Sequence, residues 1–311
     1  MTNNPKPSIQ IPQTIVNELQ HCTAIGIRPF EVYSDFLEIA LYTLEAVPRH
    51  FESVLAHKQY ADDTPEAAAA FARVRQKYSR RGRDYTPHFA AALAALLQAD
   101  LYSGDNPDHV GIAYELLELQ NPHSGQYFTP WDVCSMMVQV TDGEPAAFLL
   151  SRLAKCSMGE AFDPTLAVFV KTHIALSAAV SGTSPALLRS VSTALENGFQ
   201  PITVSDPAVG SGRMLLAHAC LVPPWAHQLG LVQYCGQDID LDCVRMARIN
   251  MMLYGLNGWG LRLMTGLSAE ARAALQDYQA YHPSNLRPSP ETAFVYDAGR
   301  LTALQPQKTK R

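Results

Sequence analysis

The chain has 311 residues, of which 47% are apolar and 17% are charged, and its formal net charge is −5. This composition excludes disordered and fibrous proteins, and the length allows one large domain or two. The negative net charge argues against a protein that binds DNA through a basic surface without a partner protein. Two short runs are basic, 77–83 (KYSRRGR) and 308–311 (KTKR), but a solvated helix end and a frayed tail are the simpler explanations.

Neither the cysteines nor the N-terminus indicates an exported or membrane-bound protein. The six cysteines are scattered, without a C-x-x-C pair or a histidine at zinc-ligand spacing, so they predict reduced thiols and no metal site. Residues 1–13 lack the pattern of a signal peptide and are expected to be poorly ordered. No window holds the ~18 uninterrupted apolar residues of a spanning helix. We therefore expect a cytoplasmic protein without a membrane partner.

The first part of the chain is predicted to be helical. Apolar residues recur at helical spacing over Phe30–Val47, and the Ala-rich stretch His88–Ala99 predicts a second helix. Asp108 can cap a third helix that runs to Leu119. These patterns assign residues 1–120 to a helical N-terminal region.

Strand patterns appear only in the second half of the chain. Ile202–Val204 is short and β-branched and is followed by Asp206, and Leu231–Gly236 is a second apolar run. A helix is predicted between them, over about 212–221. The order strand, glycine-rich turn, helix, strand predicts a βαβ unit with a parallel sheet.

The remaining patterns are weaker. Asp240 can cap a further helix that ends before Gly255. Residues 262–264 and 292–296 are predicted to form a third and a fourth strand. The Ala-, Leu- and Ser-rich segment 142–198 lacks strand alternation and is predicted to be a helical insert before the first strand.

The sequence Asp-Pro-Ala-Val-Gly-Ser-Gly at 206–212 carries the strongest chemical signal. Small residues let the backbone approach a ligand closely, and amides at a helix start favour electron-rich groups. A carboxylate at the strand end can pair with a cationic ligand group. G-x-G alone is weak, because turns use glycine widely, but the strand–turn–helix context favours a nucleotide-type ligand. The candidate residues are Asp206, Ala208, Gly210 and Gly212.

Asp238 gives independent support for such a ligand. It follows the second predicted strand, 26 residues after Gly212, where doubly wound folds place the carboxylate that binds ribose hydroxyls. Asp240 or Asp242 could share this task, although helix capping is the more ordinary role for Asp240. Leu215 stands where a dinucleotide fingerprint needs its last glycine, which argues against a dinucleotide enzyme.

Several segments in chain order resemble motifs of adenine-specific DNA methyltransferases of the type I modification-subunit kind. The family motifs are D-x-x-G-x-x-Y-E, G-Q-[FY]-[FY]-T-P, D-P-A-C-G-S-G, G-x-E-I-[DN] and A-R-x-N-x-x-x-x-G, and the matching segments are 108–115, 125–130, 206–212 (with Val209 for the cysteine), 236–240 and 246–255. The resemblance implies an α/β fold, with a class I methyltransferase (Rossmann-like) domain over 121–311. The segment 125–130 also argues against a small-molecule methyltransferase.

The resemblance implies a cofactor and the residues that hold it. S-adenosylmethionine is the expected cofactor, with Tyr127–Thr129 closing over it, Asp206 near its methionine part and Asp238 on its ribose. Core packing is the alternative role for Tyr127 and Phe128. The full expected set is Gln126, Tyr127, Phe128, Thr129, Asp206, Ala208, Gly210, Gly212 and Asp238.

The motifs that receive adenine are not found. Methyl transfer to a base in DNA needs a flipped adenine, held by its edge and stacked on an aromatic ring, and the family uses Asn/Asp-Pro-Pro-Phe/Tyr for this. Residues 222–225 (VPPW) and 282–285 (HPSN) do not match that motif, and 265–268 (TGLS) replaces the family's G-D-[ST]-L. We therefore expect an incomplete methyltransferase domain. A separate complementary chain, degeneration, or an unrecognised catalytic group would each explain it.

Two functions follow from these expectations. The first is an S-adenosylmethionine-binding protein related to DNA N6-adenine methyltransferases, in a restriction-modification or mobile-element system. It would meet DNA through partner subunits, such as a specificity subunit or a complementary methyltransferase chain. The second is a catalytically inactive binding or regulatory subunit.

Overall fold

The computed structural model describes residues 7–80, 82–120, 127–159, 167–168, 170–175, 185–256, 294–297 and 300–303. The chain divides into two compact units, each built from separate stretches of sequence. The first unit combines residues 1–131 with 207–216 and 238–254, and the second combines 132–206, 217–237 and 255–311. The glycine-rich turn and Asp238 thus belong to the same unit as the N-terminal helices. The division of the chain at residue 120 stays a prediction.

The described residues are mostly helical, with a few short strands. In chain order the elements are α1 (Pro7–Thr23), α2 (Pro29–His57), α3 (Pro65–Tyr78), β1 (Ser79–Arg80), β2 (Arg83–Asp84), α4 (Thr86–Leu96), α5 (His109–Leu116), α6 (Trp131–Asp142), α7 (Pro145–Met158), α8 (Pro185–Glu196), β3 (Ile202–Asp206), α9 (Arg213–Cys220), α10 (Pro224–Gln228), β4 (Val232–Gly236), α11 (Leu241–Leu253), β5 (Phe294–Asp297) and β6 (Arg300–Ala303). None of the helices in this described part is long and apolar enough to cross a membrane.

Two predicted helix caps are confirmed. The Asp108 side chain accepts a hydrogen bond from the Gly111 N–H at the start of α5. The Asp240 side chain accepts from the N–H groups of Asp242 and Cys243 at the start of α11. Each aspartate thereby satisfies amides that the first helical turn leaves without a partner.

The N-terminal region differs from its prediction in two ways. Poor order was expected over residues 1–13, but α1 begins at Pro7, because Ile15 and Leu19 on its inner face are buried against neighbouring helices. The helical pattern is also interrupted by β1 and β2, which pair as an antiparallel hairpin. Gly82 forms its turn with a φ of +76°, a backbone conformation that glycine adopts at little cost.

The first unit has a helical core. Helix α1 packs against α4 and α5, and α2 packs against α11. The Tyr33 hydroxyl donates to the Val110 carbonyl oxygen over 2.6 Å, so its polar atom is satisfied inside this core. The largest fully buried side chains of the unit are Tyr33, Tyr78, Tyr114, Phe36, Ile15, Leu19, Leu37 and Leu96.

The second unit contains the predicted parallel strand pair. Strands β3 and β4 pair in parallel from Ile202 with Val232 to Asp206 with Gly236. The chain runs from one strand to the other through α9 and α10, so the predicted strand–helix–strand order is confirmed. Helix α10 was not expected. Pro224 is its first residue, since proline fits the first helical turn.

A buried cluster of aromatic side chains surrounds Tyr234 of β4 within the second unit. The Tyr234 hydroxyl is 3.1 Å from His218 Nδ1, and His227 Nε2 is 3.1 Å from the Ala219 carbonyl oxygen. The two imidazole rings lie 5.6 and 5.8 Å from the Tyr234 ring. Burial lowers the pKa of both histidines, that of His227 to about 4. Both imidazoles are therefore neutral at neutral pH.

The other predicted elements of the second part are described only in part. Helices α7 and α8 pack on each other within the predicted insert 142–198. The fourth predicted strand, 292–296, overlaps β5, which pairs antiparallel with β6. The third predicted strand, 262–264, lies outside the described residues. The parallel pair of β3 and β4 is thus the described part of the predicted sheet, and a complete Rossmann-like fold stays a prediction.

Candidate functional site

The glycine-rich turn directly follows β3 and needs glycine at two positions. Gly210 has a φ of +53° and Gly212 a φ of +91°, both in the left-handed region. A Cβ atom on Gly212 would lie 3.3 Å from the backbone Cα of Ala247, and one on Gly210 would lie 3.2 Å from the Phe128 ring. The turn is therefore closely packed on one side, and a side chain at either position would strain it.

Two amides of the turn are already hydrogen-bonded within the protein. The Gly210 N–H donates to Asp238 Oδ2 over 2.8 Å, and the Gly212 N–H donates to the Val209 carbonyl oxygen over 2.8 Å. The expectation that the amides of the turn are free for a ligand therefore does not hold for these two. The hydrogen bonds of these two amides instead fix the shape of the turn.

Asp238 is held in place by the backbone on both sides. Besides the Gly210 N–H on Oδ2, its Oδ1 accepts from the Asp240 N–H over 3.0 Å. Each carboxylate oxygen has a further lone pair and can accept another donor. Asp240 caps α11, and Asp242 is buried and accepts from the Ser34 hydroxyl. Of these three aspartates, Asp238 is the one that accepts a hydrogen bond from an amide of the glycine-rich turn.

Arg213, at the start of α9, is a buried cation that forms ion pairs with two carboxylates. Its Nε donates to Asp108 Oδ2 over 2.9 Å, and Nη1 and Nη2 pair with the two Glu115 oxygens at 3.2 Å. Nη1 also donates to the Thr129 carbonyl oxygen over 3.1 Å, and the guanidinium lies 5.5 Å from the Phe128 ring. Burial acts to lower the pKa of Arg213, but the two carboxylates outweigh it and hold the pKa above its ordinary value. Arg213 is therefore a fixed cation.

Asp108 is fully buried and joins three separate stretches of sequence. Its carboxylate accepts from the Gly111 N–H over 2.9 Å, the Ser211 hydroxyl over 2.5 Å, Arg213 Nε over 2.9 Å and Asn250 Nδ2 over 2.9 Å. Asn250 Nδ2 also donates to the Ser211 carbonyl oxygen over 2.8 Å. A buried carboxylate is stabilised only when donors surround it in this way. The network locks α5, the glycine-rich turn and α11 together.

The described residues of the segment 125–130 have different roles. Phe128 packs against Tyr114, with ring centroids 5.6 Å apart, and against the glycine-rich turn. The Thr129 carbonyl oxygen accepts a hydrogen bond from Arg213 Nη1. Tyr127 is 68% exposed. Phe128 thus packs within the first unit, whereas the side chain of Tyr127 is exposed, and Gln126 lies outside the described residues.

Asp206 and Ala208 lie where β3 ends and the glycine-rich turn begins. Asp206 is the last residue of β3 in the second unit, and its carbonyl oxygen accepts from the Gln237 N–H over 3.0 Å. Ala208 is exposed at the start of the turn. The segments 265–268 and 282–285, considered for adenine binding, lie outside the described residues.

Sequence reasoning missed two kinds of residue in this site. The buried ion pairs of Asp108, Glu115 and Arg213 were not anticipated as supports of the turn, although charged residues inside otherwise apolar segments were a visible signal. Ile239 was also missed. It directly follows Asp238 and is 87% exposed. Ile239 is thus an accessible apolar side chain next to Asp238.

A family model described as N-6 DNA Methylase matches residues 158–272. The matched range includes β3, the glycine-rich turn, Asp238 and α11, and it does not include 108–130. It covers less than half of the chain, and it supports a likeness to DNA methyltransferases that act on adenine N6. No curated protein and no solved structure matches the chain significantly.

Proposed function

We propose that the chain binds S-adenosylmethionine and is a relative of adenine-N6 DNA methyltransferases. The observation that carries this proposal is the hydrogen bond between the Gly210 amide and the Asp238 carboxylate. It joins the glycine-rich turn after one strand of a parallel pair to an acidic residue after the next strand. Nucleoside ligands of doubly wound folds are bound between two such groups.

The chemistry of the residues fits this cofactor. The carboxylate of Asp238 suits the ribose hydroxyls, and that of Asp206 suits the cationic methionine end. The exposed side chains of Tyr127 and Ile239 offer apolar contact for an adenine ring, and the small Ala208 lets the backbone come close. Gln126, Phe128, Thr129 and Gly212 complete the proposed set. When bound, S-adenosylmethionine supplies an electrophilic methyl group.

The buried network supports the site rather than meeting the ligand. Asp108 is bound to Arg213 and to the Ser211 hydroxyl, and Asn250 donates to the Ser211 carbonyl oxygen. These hydrogen bonds fix the glycine-rich turn. A site whose supporting side chains are fixed loses less conformational entropy when a ligand binds. The pair thus prepares the turn for its ligand.

DNA is the proposed substrate, with the adenine amino group as the methyl acceptor. The sequence has no Asn/Asp-Pro-Pro-Phe/Tyr motif, so the proposal assigns cofactor binding to this chain and not complete catalysis. A complementary methyltransferase chain or a specificity subunit of a restriction-modification system would supply the remaining DNA contacts. The second candidate is a cofactor-binding regulatory subunit without catalysis, favoured by the same missing motif.

Calorimetry with S-adenosylmethionine and with its demethylated product tests cofactor binding. Asp238→Asn removes the ligand-facing charge and is expected to weaken binding about tenfold or more, since a hydrogen bond to a charged group contributes roughly 1.5–3 kcal/mol. Asp62→Asn is the matched control, because Asp62 is an exposed carboxylate outside the site. Absence of binding, or equal losses in the two variants, would overturn the proposal.

Methyl transfer is tested separately with radiolabelled cofactor and mixed duplex DNA. Label in DNA only when a candidate partner chain is added would support a split enzyme. Label without any partner would show that the chain has its own catalytic group. Cofactor binding without transfer under every condition would support the regulatory subunit.

A further inference from the structure

Two arginines are cross-strand partners in the hairpin of β1 and β2, within the first unit. Arg80 pairs with Arg83, and Gly82 lies in the turn between them. Like charges directly opposite each other on neighbouring strands destabilise the pair. Both side chains are exposed. The hairpin therefore concentrates positive charge on the surface at a cost in stability, and an anionic ligand would offset that cost.

Neither guanidinium forms an ion pair with a carboxylate in the described part of the chain. Arg80 Nε donates to the Lys77 carbonyl oxygen over 3.3 Å. Asp84, the neighbour of Arg83, instead accepts from the N–H and the hydroxyl of Thr86 over 2.9 and 2.8 Å. These hydrogen bonds lower the pKa of Asp84. The positive charge of the hairpin is thus available to a partner.

A cleft of about 500 Å³ lies beside the hairpin. Its lining residues are His21, Ala24, Arg83, Asp84, Tyr85 and His88. The His21 and His88 rings stack with centroids 4.6 Å apart and planes at 25°. The Tyr85 ring lies 6.2 Å from His88. The cleft thus combines the guanidinium of Arg83 and the carboxylate of Asp84 with three aromatic rings.

Glu18 holds the His88 ring of the stack in a fixed orientation. His88 Nδ1 lies 2.7 Å from Glu18 Oε2. A carboxylate only accepts hydrogen bonds, so His88 Nδ1 carries the hydrogen of this contact. The orientation of the His88 ring is therefore set before any ligand binds.

This combination selects a class of ligand. A guanidinium matches the geometry of a phosphate group, and flat rings, including imidazole, stack on unpaired nucleic-acid bases. The volume is in the range of about 300–1,000 Å³ that small-ligand pockets occupy. The described residues contain no group of three or more His, Cys, Asp or Glu that could hold a metal ion. A nucleotide therefore fits the cleft better than a cation does.

We propose that this cleft binds one nucleotide unit with an unpaired base, its phosphate on Arg83 and its base on the stacked rings of His21 and His88. The site is separate from the glycine-rich turn and needs neither S-adenosylmethionine nor methyl transfer. The nucleotide comes either from a single strand of nucleic acid or from a free mononucleotide. Both sources present the same phosphate and base.

Fluorescence anisotropy with labelled oligothymidylate, and calorimetry with thymidine monophosphate, test the two sources on the full chain. Arg83→Gln is expected to weaken oligothymidylate binding about fivefold at about 0.1 M salt and to reduce the slope of log K against log salt by about 0.7, as one lost phosphate contact on a single strand does. His21→Ala is expected to weaken binding about fivefold or more through lost stacking, with an unchanged salt slope.

Arg189→Gln is the matched control. Arg189 is exposed on α8 in the second unit, and its loss changes the net charge by the same amount. Arg83→Lys retains the positive charge and is expected to keep the salt slope of the unchanged protein. A reduced slope in Arg83→Gln is then due to the lost phosphate contact and not to misfolding. Binding of the oligonucleotide alone identifies a nucleic-acid strand, and binding of the mononucleotide a free ligand. No binding of either probe, equal losses in the variants of Arg83 and Arg189, or an unchanged affinity in His21→Ala would overturn the proposal.

Discussion

Replacing Asp108 by asparagine should loosen the support of the glycine-rich turn while keeping the size of the side chain. The carboxylate accepts from Gly111, Ser211, Arg213 and Asn250. An asparagine offers one accepting oxygen and turns an NH₂ group, itself a donor, towards two of these donors. It also leaves the buried Arg213 without its closest negative charge.

The expected loss follows from the burial of the pair. Removing one partner of a buried ion pair costs about 3–5 kcal/mol of unfolding free energy. Arg213 retains Glu115 and the Thr129 carbonyl oxygen, so we expect the lower end, about 3 kcal/mol. Glu115→Gln is the control, because that carboxylate is 33% exposed. We expect it to cost about 1 kcal/mol or less.

Urea unfolding at neutral pH, followed by circular dichroism, measures these free energies. Asp108→Asn combined with Arg213→Met removes both charges, and we expect it to cost at least about 1 kcal/mol less than the sum of the single variants. A loss below about 1 kcal/mol in Asp108→Asn, or strict additivity in the double variant, would refute the assignment of this pair as the centre of the network.

Three further predictions concern single residues. Gly212→Ala should cost about 1–3 kcal/mol in urea unfolding and reduce cofactor binding. Gly104→Ala, with a φ of +84° but open space around it, should cost less, and equal costs would contradict the packing argument. The pKa of His227 is about 4 against an ordinary value of 6.5, so its contribution to stability is complete above pH 6.5 and is lost as the pH falls towards 4. This loss is about 3 kcal/mol of unfolding free energy. Between pH 7 and 4 the urea midpoint should therefore fall less for His227→Gln than for the unchanged protein. Asp240→Ala removes the cap of α11 and should cost about 1 kcal/mol, with Asp62→Ala as the neutral control.

The features that could be predicted from the sequence are those that local chemistry decides. Apolar runs that end at Asp206 and Gly236 predicted the parallel strands, because strand and turn signals lie within a few residues of each other. The caps at Asp108 and Asp240 followed from the same kind of short-range pattern. The hairpin at Ser79–Asp84 was missed, because strands of two residues have no periodicity to detect.

The supports of the candidate site depend on partners far apart in the sequence. Asp108 and Arg213 are 105 positions apart, and Asp108 and Asn250 are 142 apart. Spacing along one chain contains no information on such pairs. The resemblance placed Asp108 and Asn250 in motifs, but a motif does not say which side chains meet. The 87% exposure of Ile239 is likewise a property of the folded surface.

The interleaved first unit has a consequence for how the protein is made. Its N-terminal helices leave the ribosome well before residues 207–216 and 238–254, which complete the same unit. Until then Asp108 lacks Ser211, Arg213 and Asn250, and only the donor within its own helix is present. Contacts of such long sequence separation form slowly. Asp108 is therefore buried with its full set of donors, and the glycine-rich turn takes its final shape, only after synthesis has passed α11.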